Sequence, residues 1–143
     1  MKPYKLGYTT GVFDLFHVGH LNILKNAKEL CDFLIVGVST DELVMEYKNK
    51  KPVVPHKDRV AIVAGIKYVD MVVGQINRDK YQAWENLRFD AMFVGDDWKG
   101  NPLFKDLQSK FNEVGVDIVY FPYTKGVSST LLKEKISYKE VVR

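Results

Sequence analysis

The chain has 143 residues, of which 46% are apolar and 27% charged, with a net charge of +3 and a single cysteine. That length supports one domain with one substantial core, and the composition excludes a disordered or low-complexity polypeptide. There is no apolar run of ~18 residues, no long apolar stretch after Met1-Lys2-Pro3-Tyr4-Lys5 and no partner for Cys31, so we expect a cytoplasmic protein without a membrane span or internal disulfide, its mild charge suiting anionic small molecules rather than nucleic acid.

Apolar runs rich in β-branched residues alternate with segments of helical period. Leu6–Thr10 predicts a first strand. A helix follows over about Gly19–Leu30, with Leu21, Leu24, Ala27 and Leu30 on one face. Phe33–Val38 is a continuous apolar run, the pattern of a strand covered on both faces. Ser39 and Thr40 offer N-cap chemistry for a short helix over Asp41–Tyr47. Lys48-Asn49-Lys50-Lys51-Pro52 is a basic loop that Pro52 and Pro55 keep extended. A helix over about Lys57–Ile66, a strand at Met71–Val73, a helix over Lys80–Leu87 and a strand at Ala91–Val94 come next. Asn101-Pro102 opens another helix, Asp117–Phe121 is the last strand, and Ser128-Ser129-Thr130 caps a final helix to about Ile136.

This alternation implies an α/β fold: one Rossmann-like, doubly wound, parallel five-stranded sheet with helices on both faces, spanning residues 1–143 as a single domain. Ligands of such sheets gather at the carboxyl ends of the strands. The turn after the first strand, the loop after Val38, Gly95–Trp98 and Tyr123–Ser129 all fall there.

The turn reads Gly11-Val12-Phe13-Asp14-Leu15-Phe16-His17-Val18-Gly19-His20. Glycines let a backbone approach a phosphate, a helix start offers unpaired N–H groups, and His17 and His20, three residues apart, can donate to charged oxygens from one side of the first helical turn. The same pair also suits two exposed histidines at an ordinary helix start. A zinc site is disfavoured, because Cys31 and His56 lack ligand spacing. Glycine followed by hydroxyl residues, Gly126-Val127-Ser128-Ser129-Thr130, is a second anion-binding pattern, or a plain N-cap. Lys48 and Lys50, taken by themselves, read as part of a solvated charge run.

The segment from Gly11 to His20 resembles the N-terminal motif of the cytidylyltransferases, within the HxGH nucleotidyltransferases. Val38-Ser39-Thr40-Asp41-Glu42, Arg59, Tyr68-Val69-Asp70 and Gly95-Asp96-Asp97-Trp98 resemble further landmarks of the small bacterial glycerol-3-phosphate cytidylyltransferases, so the likeness covers almost the whole chain. It implies transfer of CMP from CTP to a small alcohol phosphate, with pyrophosphate released and Mg²⁺ carried mainly by the triphosphate. It implies catalytic roles for His17, His20, Lys48 and Ser129. Nucleotide contacts are implied for Thr10, Gly11, Val12, Phe13, Asp14, Gly19, Asp97, Trp98, Gly126, Val127, Ser128 and Thr130. Acceptor contacts are implied for Lys50, Arg59, Lys67 and Tyr123, and a homodimer with the His17 turn near the subunit contact. The attacking phosphate oxygen is already ionised at neutral pH, so Asp14 orients the motif rather than serving as a base.

Three positions depart from the pattern. Tyr123 and Lys125 stand where the family signature has arginine and glutamate, and Lys67 replaces an arginine of the third helix. Lysine and tyrosine lack the planar fork that arginine offers to phosphate, which leaves the acceptor open among polyol phosphates and phosphorylated amino alcohols. An adenylyltransferase acting on a sugar phosphate or cofactor precursor, or a CTP-binding module without turnover, are the alternative readings. Retention of both phosphate-binding patterns disfavours the latter.

Overall fold

The computed structural model describes residues 2–122. Five strands form one sheet: β1 (Tyr4–Gly11), β2 (Cys31–Ser39), β3 (Met71–Gln75), β4 (Ala91–Gly95) and β5 (Asp117–Phe121). Their spatial order is β3-β2-β1-β4-β5, and every neighbouring pair is parallel. The helices are α1 (Val18–Leu30), α2 (Asp41–Lys48), α3 (His56–Ala64), α4 (Lys80–Leu87) and α5 (Pro102–Glu113), with a single 3₁₀ turn at Asp96–Trp98. The expected doubly wound parallel sheet is the observed one. The final helix placed at 128–136 lies outside the described residues.

The sheet is covered on both sides because its central strands are apolar at consecutive positions and pleating sends neighbours to opposite faces. Leu34, Val36 and Val38 of β2, with Ala91 and Phe93 of β4, meet Leu24 and Ala27 of α1 and Val63 of α3. Ile35, Met92 and Val94 turn the other way, toward Phe104 and Phe111 of α5 and the half-buried Trp84 and Leu87 of α4. Packing between β1 and its neighbours is close enough to require glycine at position 7, where a Cβ would come within 2.5 Å of the Phe93 ring and 2.7 Å of Cys31 Sγ.

Helix starts follow local chemistry. Thr40 caps α2 by accepting from Leu43 N–H at 3.2 Å, Asp79 caps α4 through Gln82 N–H, and Asn101 caps α5 with proline at its first turn. Among the described residues no helix is long and apolar enough to cross a membrane. Several bounds differ from the sequence expectation: β1 and β2 each begin two residues earlier, at Tyr4 and Cys31, and the ends of α3 and β3 also shift. α3 stops at Ala64, Gly65 being its C-cap, and β3 continues two residues past Val73 because it stays in register with Val38 and Ser39 of β2.

The order in which strands are added reverses at β1, whose neighbours are β2 and β4. A crevice opens at such a reversal, outside the carboxyl ends of the strands.

Candidate active site

β1 delivers the chain into a turn with two non-glycine residues in the left-handed region, Phe13 (φ 55°) and Leu15 (φ 48°). Conformations of this kind cost on the order of 1–3 kcal/mol each and persist only where surroundings enforce them. Here the enforcement centres on the residue between them. Asp14 is buried, and its carboxylate accepts Val53 N–H at 2.8 Å and Val54 N–H at 2.9 Å. Those two bonds fasten the loop that leads out of α2, with Lys48, Lys50 and Lys51, onto the turn that leads into α1.

The two histidines then form an N-terminal cap for α1. His17 is the N-cap; its Nδ1 accepts Gly19 N–H at 3.0 Å, while its own N–H donates to His20 Nδ1 at 3.1 Å. Both Nδ1 atoms are therefore acceptors, so both neutral rings carry their proton on Nε2. The rings lie against each other with centroids 3.9 Å apart. Burial lowers the pKa of both histidines. For His20, burial with the adjacent His17, opposed by Asp14, brings it down to about 4. At neutral pH the pair is uncharged and presents Nε2–H groups with a fixed tautomer.

A cavity of about 970 Å³ lies over the carboxyl ends of the strands. Its wall takes in Thr10, Gly11, Val12, Phe13, Asp14, His20, Lys48, Lys50 and Trp98, nine of the residues expected at the site. Thr10 Oγ1 is buried, with the Tyr8 hydroxyl as the hydrogen-bonding group beside it. Trp98 packs on Phe104 with ring centroids 5.1 Å apart, so its indole is held by α5. His17 and Gly19 belong to the cap and are not residues of this wall, and Asp97 sits in the 3₁₀ turn that follows β4. Tyr123, Gly126, Val127, Ser128, Ser129 and Thr130 lie outside the described residues.

Two expected acceptor ligands are placed elsewhere. Arg59 is completely buried in α3. Its Nε donates to Val54 O at 2.8 Å, Nη1 to Val12 O at 2.7 Å and Ser39 O at 2.8 Å, and Nη2 to Asp41 Oδ1 at 2.6 Å. A guanidinium committed to three carbonyls and a carboxylate is a clamp between the ends of β1 and β2 and the basic loop, and it does not reach the cavity. Burial alone would raise the Asp41 carboxyl, but hydrogen bonds from Arg59 and from His56 N–H hold it below its ordinary value. Lys67 follows α3 near the amino end of β3, at the opposite edge of the sheet, with its Nζ 5.2 Å from the Tyr68 ring. Helix α3 runs back across the sheet, so residues at its far end are carried away from the site.

The sequence reading passed over the end of β3. Gln75, Arg78 and Lys80 all stand in the cavity wall, beside Tyr47 of α2. Burial, then Arg78, against the opposing effect of Asp79, brings the Lys80 ammonium down to about 8. The available signal was positional, since this is the one strand end at the crevice to which no ligand had been ascribed.

Known proteins share both the sequence and this shape. Residues 8–135 match the family model described as cytidylyltransferase-like. The glycerol-3-phosphate cytidylyltransferase of Bacillus subtilis (strain 168) is 38% identical over 130 residues, 90% of this chain and 95% of that protein. The FAD synthase of Pyrococcus abyssi is 37% identical over 116 residues, 79% of this chain and 77% of that protein. Among solved structures, the lipopolysaccharide core biosynthesis protein of Thermoplasma volcanium superposes with a TM-score of 0.70 at 29% identity, over 87% of this chain and 99% of that one. With its fold, its histidine cap and its crevice at the strand ends in place, the chain belongs to the cytidylyltransferase-like family of nucleotidyltransferases.

Proposed function

We propose that the protein transfers CMP from CTP to a small alcohol phosphate, glycerol 3-phosphate foremost, and releases pyrophosphate. The observation that carries this is the histidine cap, which makes His20, a residue of the cavity wall, an Nε2–H donor. An acceptor phosphate oxygen attacks the α-phosphorus in line. The new O–P bond forms as the bond from the α-phosphorus to the bridging oxygen of the β-phosphate breaks, and pyrophosphate departs with that electron pair. The Nε2–H of His20 and the cations Lys48 and Lys50 stabilise the charge that accumulates between attack and departure, while Thr10 and Trp98 seat the nucleotide.

No side chain need act as a base, since the attacking oxygen is ionised. Mg²⁺ arrives on the triphosphate and screens its charge. Such an ion would be held mainly by phosphate oxygens and water. Ser128, Ser129 and their neighbours belong to the proposal as a second phosphate clamp, as does a cytoplasmic homodimer. Similarity to an FAD synthase supports a second reading, adenylyl transfer from ATP to a larger phosphorylated acceptor.

The test is pyrophosphate release by the purified protein, with CTP or ATP offered against a panel of alcohol, sugar and flavin phosphates. We expect release with CTP and glycerol phosphate, reduced ~10²-fold by His20→Ala, the loss typical of one charge-stabilising donor. Release with ATP alone would establish the second reading.

A further inference from the structure

The carboxyl end of β3 carries an arrangement to which the proposed nucleotide contacts give no role. Gln75 is the last residue of that strand and only 8% exposed. Its backbone is held in register opposite Ser39, and its carbonyl accepts Thr40 N–H at 3.0 Å. The side-chain Nε2 donates to Asn77 O at 3.0 Å, which fixes the orientation of the amide, because only the NH₂ end can face a carbonyl. Oε1 is then the other end, buried and without a partner among the described residues. A buried acceptor in this condition is destabilising until a donor reaches it, and Gln75 belongs to the wall of the cavity.

Oε1 can only accept, so it rejects phosphate and carboxylate oxygens and takes an O–H or an N–H. The adjoining charges decide between those two. Arg78 lies over the Tyr47 ring, 4.8 Å from its centroid, and Lys80 stands two residues on, both in the same wall. The intervening Asp79 spends Oδ1 on the cap of α4. Arg78 and Lys80, against the one negative charge of Asp79, leave this part of the wall net positive, which disfavours an ammonium and favours a dianion, so the donor is a hydroxyl and a phosphate is the group carried with it.

We propose that this strand end selects the acceptor: Gln75 Oε1 takes a hydrogen bond from a free hydroxyl of a phosphorylated polyol, and Arg78 holds that polyol's phosphate. The inference rests on the proposed transfer from CTP and names which acceptors it serves. Gln75 sets specificity, Arg78 sets affinity, and the two effects separate in kinetics. A strand residue locked by backbone pairing is positioned well enough to discriminate in this way.

The experiment measures kcat/KM by pyrophosphate release, at saturating CTP, for glycerol 3-phosphate, propyl phosphate (no hydroxyl) and phosphoethanolamine. The wild-type protein is expected to favour glycerol 3-phosphate about tenfold over each of the others, the size of one net hydrogen bond. Gln75→Met brings the ratio to propyl phosphate close to one. Arg78→Gln raises KM for glycerol 3-phosphate and propyl phosphate alike, about tenfold, and leaves their ratio in place. A wild-type protein that is active but indifferent among the three acceptors overturns the inference alone, and that arm needs no variant to fold. So does a ratio unmoved by Gln75→Met, or a KM unmoved by Arg78→Gln. Silence with CTP and every phosphorylated alcohol overturns the transfer reaction itself, and this inference with it.

Discussion

The chemistry of single side chains in this site is set by what already occupies their other atoms. His17 and His20 are useful to a phosphate because backbone N–H groups have taken both Nδ1 positions, leaving one kind of donor on each ring. Lys80 shows the converse, an ammonium whose proton is loosened by burial and by Arg78. Around it the cavity wall also carries Asp79, Asp106, Lys110, Lys48 and Lys50. With a pKa of about 8 in the unliganded protein, Lys80 is charged at neutral pH and loses that charge as pH rises past 8. We expect kcat/KM for the acceptor to fall above pH 8 in the wild-type protein, and the step to vanish in Lys80→Met at an overall lower rate. A step that survives unchanged in the variant would assign the titration to another group.

Among the elements, the connection between α2 and α3 depends most on long-range bonds. It has no helix or strand of its own, and Asp14 and Arg59 hold it from two sides. Lysine at position 59 keeps the charge but cannot satisfy four acceptors in four directions. Arg59→Lys is therefore expected to destabilise the fold by about 3 kcal/mol, the scale of breaking a buried ion pair, or roughly 10 °C in Tm. It should also raise KM for the triphosphate, because Lys48 and Lys50 travel with the loop. Thermal melting and initial-rate kinetics on the same preparation check both; an unchanged Tm would refute the clamp.

This element also marks the limit of what the sequence discloses. The histidine turn was legible because its residues are contiguous and their chemistry is local. Arg59 was recognisable as an important position, but whether a guanidinium faces a ligand or four protein oxygens depends on which side of α3 meets the ends of β1 and β2. Lys67 was misplaced for the same kind of reason: the helix must be known to cross the sheet before its far end can be assigned to the far edge. Lys80 and Gln75 carry no motif, and only the extension of β3 by two residues brings them to the crevice.

Across the whole molecule, the fold class followed directly from the alternation of apolar runs with amphipathic helices, since strands that are mostly doubly buried leave few other arrangements. Electrostatics act at this scale too. His20 has a pKa of about 4 in the folded protein against an ordinary 6.5, so between those values the unfolded chain holds a proton that the native state lacks. Stability accordingly declines as pH falls from 6.5 toward 4. Asp41, held below its ordinary value, adds a loss in the same direction at lower pH. Denaturant midpoints measured from pH 7 to pH 4 should drop steadily, and His20→Asn should flatten the part of the curve above pH 4; a flat wild-type curve would count against a buried neutral His20.

The strand order has a consequence for how the chain is made. β1 pairs with β2 within the first 39 residues, yet its other neighbour, β4, begins only at Ala91. While the ribosome adds the intervening residues, one edge of β1 shows unpaired N–H and C=O groups, an open template for other chains. The flank that finally closes it also brings Met92, Val94 and Gly95 to the cavity wall. A nascent or truncated chain ending before β4 is thus expected to be adhesive, and the strand that covers the open edge is one that builds the crevice.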